Sequence, residues 1–242
     1  MDDYPYEYYN KKRAKRKAFL TKTIALLSVL AFAAVSAVCV FAFSAAKARM
    51  ERPLYLLAAD SGKDAERVAE EIASKGGAGV LYKEEERVYP LYAVYYDRYS
   101  AETVSSRLNA AGGQSIVLER GTGTLYFKGT SRKEAKNGIP AALRAVYDCS
   151  RAFYAAANWA EGGTGAGNAY SVAEQAARLL RSAFEQAAGG LAEHKKYRSF
   201  FSFGEEFYEQ MLSAGAYTAG ALRALQAKLC LFYLSAFTIF GN

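Results

Sequence analysis

The sequence predicts an α+β protein with three parts: an N-terminal transmembrane helix, a four-stranded sheet assembled as β-α-β-β-α-β, and an α-helical domain. Three observations carry this expectation. An apolar run without a charged residue extends from Thr23 to Ala46. Beyond it a strand, a helix and a double glycine follow one another twice, ending at Gly76-Gly77 and again at Gly112-Gly113. From about residue 131 onward the apolar spacing is helical.

The first ten residues, MDDYPYEYYN, are acidic, rich in tyrosine and without periodicity, which predicts a disordered tail. Lys11, Lys12, Arg13, Lys15, Arg16, Lys17 and Lys22 follow and hold much of the formal net charge of +7. The remainder of the chain is nearly balanced, so a broad basic surface for nucleic acid is not predicted. With 52% hydrophobic residues the chain has the material for a packed core.

The run from Thr23 to Ala46 exceeds the roughly 20 residues needed to cross a hydrocarbon layer of ~30 Å as a helix. Its length also exceeds the core of a cleaved signal peptide, so it reads as a retained anchor. The basic cluster before it outweighs Lys47, Arg49 and Arg52 after it, which predicts a cytoplasmic N-terminus and an extracytoplasmic C-terminal portion. Val38 precedes Cys39, where a lipoprotein signal wants a small residue, so Cys39 reads as a membrane-buried thiol. The boundaries that follow are a tail over 1–17, a transmembrane helix over 18–47, an α/β domain over 53–120 and a helical domain over 131–242.

Within the α/β segment, Leu54 to Ala58 reads as a strand, and Ser61 to Asp64 fits a capping box. Ala65, Val68, Ala69 and Ile72 then share a helical face. Val80 to Tyr82 is a second strand, the charged stretch from Lys83 to Arg87 a hairpin or loop, and Val88 to Tyr96 a third strand with Pro90 near its start. Ser100 reads as the next N-cap, with Tyr99 and Val104 as a hydrophobic staple, and Ile116 to Leu118 as the fourth strand. This order makes a ferredoxin-like sheet with both helices on one face. Period-two alternation turns Leu54, Leu56, Ala58, Tyr92, Val94 and Tyr96 toward those helices. It leaves Tyr55, Leu57, Tyr89, Leu91 and Tyr95 on the open face.

In this element order, and in the segments LYLLAADSGKDAERVAEEI and YAVYYDRYSAETVSSRL, residues 53–120 resemble the SPOR family. Its small repeat-built domains recognise peptidoglycan glycan strands lacking stem peptides. Tyr55 stands where that family usually has glutamine, Leu57 at its glycine position, and Asp97-Arg98 where it has Gly-Pro. The resemblance implies an envelope protein that binds peptidoglycan glycan or localises to the cell wall during division or sporulation. Tyr55, Leu57, Tyr89 and Tyr95 are then the glycan-facing residues, and the anchor adds avidity to a weak sheet contact. The aromatic face admits two further readings. The C-terminal helices of the same chain cover it, or a partner protein does. As an alternative function, the protein is a bitopic scaffold whose helical domain binds an envelope partner and whose SPOR-like sheet no longer binds glycan.

In the second half, Leu125 to Phe127 reads as an extra strand and Pro140 as the first turn of a helix carrying Leu143, Val146, Tyr147, Phe153 and Tyr154. The stretch EGGTGAG lacks the Lys-Ser/Thr ending of a phosphate loop and reads as a connection. Ser171 opens another helix with Val172, Ala176, Leu179, Leu180 and Phe184 on one face. From about Phe203 the pattern is helical to Phe240, with a break near Gly215 or Gly220. The apolar tail from Leu229 to Phe240 is too short to span a bilayer and reads as core, or as a membrane- or partner-touching terminus.

His194 is the single histidine, so no metal site and no histidine-based nucleophile is predicted, and no cofactor follows from any motif. Glu205, Glu206 and Glu209 have the spacing of a solvated helix face rather than of opposed hydrolytic carboxylates. Cys149 and Cys230 lie on separate predicted helices, which leaves both a disulfide and two free thiols open. The expectation is therefore a non-catalytic membrane protein.

Overall fold

Strand β1 (Ala46–Ala59) is the element on which the sheet is built, because it pairs antiparallel with β3 (Arg87–Tyr95) on one side and β4 (Ser115–Phe127) on the other. The computed structural model describes residues 46–60, 64–128, 131–162, 166–213 and 218–241. Strand β2 (Val80–Glu84) completes an antiparallel sheet in the order β2-β3-β1-β4. Helix α1 (Ala65–Ser74) connects β1 to β2, and α2 (Arg98–Ala110) connects β3 to β4.

Local sequence explains these elements. Ala65, Ala69 and Ile72 form the buried stripe of α1, and Gly76 ends it by adopting a left-handed φ of 82°. The β2–β3 hairpin turns through Glu85, which takes a left-handed φ of 52°. That conformation costs a residue with a side chain about 1 kcal/mol. Helix α2 is capped by Asp97, whose Oδ1 accepts from the Ser100 amide at 2.7 Å. Ser100 therefore lies inside the helix, and Tyr99 is 79% exposed rather than stapled to Val104.

Four helices follow: α3 (Arg132–Glu161), α4 (Ala166–Ala188), α5 (Lys195–Ser213) and α6 (Ala219–Phe240), with a 3-10 turn at Gly189–Glu193. Helix α3 packs against α4 and α6, and both α3 and α6 lie on the sheet. Pro140 sits well inside α3, not in its first turn, because the helix starts at Arg132. It removes one backbone donor there and leaves the Lys136 carbonyl without its usual partner.

The fold class expected from the sequence is corrected in three respects. Ala46 and Lys47 belong to β1, so a helix over 18–47 does not extend to its expected end; residues 18–45 and the tail lie outside the described residues. Among the described residues one helix, Ala219–Phe240, is long and apolar enough to cross a membrane, and half of its most apolar window is buried inside the fold. The sheet occupies 46–127 rather than 53–120. What reads as a fourth strand plus an extra strand is the single 13-residue β4, continuously paired with β1 apart from a bulge between Glu51 and Leu54. Finally, the helices are not a separate domain. Residues 46–127 and 131 onward form one compact unit with one hydrophobic core.

That core has Leu54, Leu56, Leu91, Val94, Leu125 and Phe127 of the sheet fully buried against Leu143, Val146, Phe153, Leu222 and Leu229 of the helices. Burying a Leu or Phe side chain contributes ~1.5–3 kcal/mol, so joining the layers is worth far more than any surface contact. The capping box at Ser61 and the glycines Gly163 and Gly165 fall outside the described residues, as does the break near Gly215.

Candidate functional site

The sheet face expected to be open is the natural place to look for a ligand, and the alternation along β1 and β3 decides what it carries. Leu56 pairs with Val94, Leu57 with Ala93 and Ala58 with Leu91. Tyr92 is skipped, and this irregularity shifts the side-chain alternation of β3 by one residue. Leu54, Leu56, Ala58, Leu91 and Val94 consequently share the core with α3 and α6. They were expected to split between the two faces, and those expected under α1 and α2 lie on the other side.

The four residues singled out from the sequence are dispersed by the same geometry. Leu57 is 0% exposed and Tyr89 is 8% exposed, so neither presents a surface. Tyr89 packs in the core shared with the C-terminal helices, its ring 6.3 Å from that of Tyr82. Tyr55 and Tyr95 are brought together as cross-strand partners and both are half-buried. Tyr95 also meets Tyr154 of α3 edge-on, with ring centroids 6.0 Å apart, and burial pushes its hydroxyl up to about 12. A flat tyrosine platform is absent from the described sheet.

The face is instead closed by polar contacts that fix how α6 and α3 sit on it. Strand β2 starts opposite Leu91, so β3 beyond that point lacks a strand on this side. Gln226 of α6, itself fully buried, supplies the missing donor: its Nε2 donates to the Val94 carbonyl at 2.9 Å and to the Tyr96 hydroxyl at 3.1 Å. The Tyr96 hydroxyl donates to Ser150 Oγ at 2.8 Å, and Ser150 donates to the Tyr147 carbonyl at 2.7 Å. Burial raises Tyr96 well above the usual tyrosine range, so this hydroxyl is a fixed donor rather than an acid. Further along α6, the Tyr233 hydroxyl donates to the Gly121 carbonyl at 3.1 Å, beside the bulge of β1.

Sequence reasoning missed Gln226. The available signal was a single glutamine in the mostly apolar stretch from Leu222 to Leu234, which also carries Arg223 and Lys228, because a buried amide seeks partners. It also missed Arg120 of β4, which donates from Nε and one terminal nitrogen to the two carboxylate oxygens of Glu84 on β2, at 2.6 and 2.5 Å. These strands are the two outer edges of the sheet, so the pair requires the sheet to coil until its edges approach. Arg120 sits opposite Leu54 and Tyr82 opposite Tyr89, which puts the pair on the concave side shared with the core.

Reactive groups are few among the described residues. Cys149 and Cys230 are free and buried, and burial pushes Cys230 up to about 12 and Cys149 higher still. No three metal-ligating side chains cluster among the described residues. Glu205 pairs with Arg181 at 2.5 Å, and His194 is exposed beside Tyr197. An open cleft of about 1020 Å³ lies between α1 and the β2–β3 hairpin, where Asp60, Asp64 and Glu86 face Arg67, Lys83 and Arg87. Its charges of both signs offset one another and select no ligand. No family model, curated protein or solved structure matches the chain.

Proposed function

We propose that the protein is a non-catalytic scaffold of a cell envelope, tethered to the membrane by its N-terminal apolar run, whose helical layer binds a partner protein. On this reading the SPOR-like resemblance marks an inherited sheet that no longer takes glycan. The observation that carries it is the covering of the second sheet face by α3 and α6 of the same chain, which buries Leu54, Leu56, Leu91 and Val94. A glycan would have to displace that core, and the loss of several fully buried side chains exceeds what a weak sugar contact returns.

The helices carry most of the exposed large apolar side chains. Trp159 is 51%, Leu179 64% and Leu212 41% exposed. Single exposed residues are ordinary on a protein surface, but these lie on the layer that is free to meet a partner. The uncharged run from Thr23 and the basic cluster before it support a cytoplasmic N-terminus with the folded unit on the other side.

The test compares full-length protein in two assays. Retention on purified peptidoglycan sacculi should remain at background before and after amidase treatment. Photo-crosslinking amino acids at Leu179 and Leu212 should capture one discrete envelope protein, while the same probe at Tyr55 should not. Amidase-enhanced retention that a Tyr55→Ala, Tyr95→Ala variant loses would overturn the scaffold reading in favour of glycan binding.

A further inference from the structure

We infer that the end of the fold at which β1 begins is a lipid-facing surface that binds anionic headgroups. This rests on the membrane-tethered reading above and adds which face of the unit meets the bilayer. Four parts of the chain converge at that end. Ala46 of β1 pairs with Phe127 at the end of β4, just before α3 starts. Phe127 packs on Phe240 at the end of α6 with ring centroids 5.7 Å apart, and Phe240 lies 6.1 Å from Tyr197 in the first turn of α5. The starts of β1, α3 and α5 and the end of α6 therefore share one pole.

The charge of that pole is one-sided. Lys47, Arg49, Lys133, Lys136, Lys195 and Arg198 are all exposed there and outnumber Glu51, Glu134 and Glu193. Arg49 pairs with Glu51, and Lys47 lies over the Tyr126 ring, but Lys133, Lys136, Lys195 and Arg198 form no salt bridge among the described residues. Their position on the helices is unfavourable for the isolated fold. Helix N-termini favour acidic residues, yet the first turn of α3 carries Arg132 and Lys133 against a single Glu134, and the first turn of α5 starts with Lys195 and holds no acidic residue, while Glu205, Glu206 and Glu209 fall in the second half of α5. An arrangement that opposes the helix dipole at two neighbouring N-termini is offset when both face an external negative surface. Ile239, 54% exposed at the same pole, supplies an apolar side chain to the interface.

The chain itself says which surface that is. The uncharged run ends at Ala46, the first residue of β1, so this pole is the part of the folded unit that follows the run directly in sequence. Cations beside a membrane entry point are drawn to anionic lipid over about a Debye length.

The experiment reconstitutes the full chain in phosphatidylcholine vesicles, alone or with phosphatidylglycerol at about a third of the lipid. Exposed lysines are acetylated with a membrane-impermeant reagent and quantified by mass spectrometry. Labelling of Lys133, Lys136 and Lys195 should fall about threefold or more in the anionic vesicles, recover at high salt, and leave Lys83, at the β2–β3 hairpin, unchanged. In Lys133→Glu, Lys136→Glu protein, which alters exposed residues only, the protection of Lys195 should disappear. Equal labelling in neutral and anionic vesicles, with the protein floating with both, would overturn the lipid-facing surface alone. Failure to float with either would overturn the membrane reading as well.

Discussion

Gln226 Nε2 lies 2.9 Å from the Val94 carbonyl oxygen, joining the centre of α6 to a strand that has no neighbour on that side. The contact sits in a fully buried setting, where an unpaired carbonyl costs ~1–3 kcal/mol. Gln226→Ala should therefore destabilise the unit by about 2 kcal/mol or more, the carbonyl penalty adding to the cavity left behind. Gln226→Glu should be worse at neutral pH, because it places a carboxylate against the same carbonyl. Denaturant midpoints followed by circular dichroism check both, and a Gln226→Ala midpoint equal to wild type would show that the amide is not what secures α6.

The Arg120–Glu84 pair gives a pH signature. Glu84 is held below the usual carboxylate range chiefly by the hydrogen bonds from Arg120. A lowered folded-state pKa stabilises above the unfolded value, near 4.3, and that stabilisation is lost as pH falls through the folded value. Both side chains are about a third exposed, so the pair is worth on the order of 1 kcal/mol. Arg120→Met should lower stability at pH 7, and the deficit should shrink as pH falls below about 4.3 and through the lowered folded value of Glu84. A deficit that stays constant across that range would assign the loss to packing rather than to the ion pair.

The residues legible in the sequence are those whose environment is local. Ala65, Ala69 and Ile72 mark the buried stripe of α1 because a helix reads out every third or fourth residue, and Gly76 and Gly112 stop their helices with left-handed φ values of 82° and 86°. The faces of β3 were not legible, because a single skipped residue, Tyr92, shifts its period-two pattern, and alternation along β1 groups Leu54, Leu56 and Ala58 without saying which helices cover them. The extent of β1 and β4 was hidden for a different reason. Lys47, Arg49 and Glu51 alternate with Ala46, Ala48 and Met50, but directly after an uncharged run that start is easily absorbed into the span. Period-two alternation puts Leu57 and Tyr89 on one open face, whereas Tyr89 packs in the core under α3 and α6 and Leu57 is fully buried on the other side of the sheet, paired with Ala93.

The cysteines should behave as inert core residues. With Cys230 pushed up to about 12 and Cys149 beyond it, almost no thiolate is present at pH 8, and both sulfurs are shielded. Maleimide labelling of the native protein at that pH should leave both unmodified for hours, and denaturant should expose both together, since α3 and α6 share one core. Peptide mapping distinguishes these sites from Cys39. Rapid native labelling of Cys149 or Cys230 would mean that α6 opens from the sheet without global unfolding.

Gly138 tests how α3 meets α4. A Cβ built at this position would lie 2.4 Å from the Ala187 carbonyl oxygen and 3.1 Å from Leu191 Cδ1, and the first of these is backbone that cannot rotate away. Replacing glycine by alanine inside an exposed helix stabilises by up to ~1 kcal/mol. Here the clash should outweigh that gain, so Gly138→Ala should destabilise by about 1–3 kcal/mol in spite of the better helix former. Because Leu191 leads directly into the first turn of α5, the same substitution should also reduce the protection of Lys195 on anionic vesicles. A stabilised Gly138→Ala protein, measured by its denaturant midpoint, would show that α3 and α4 are not in close contact at Ala187.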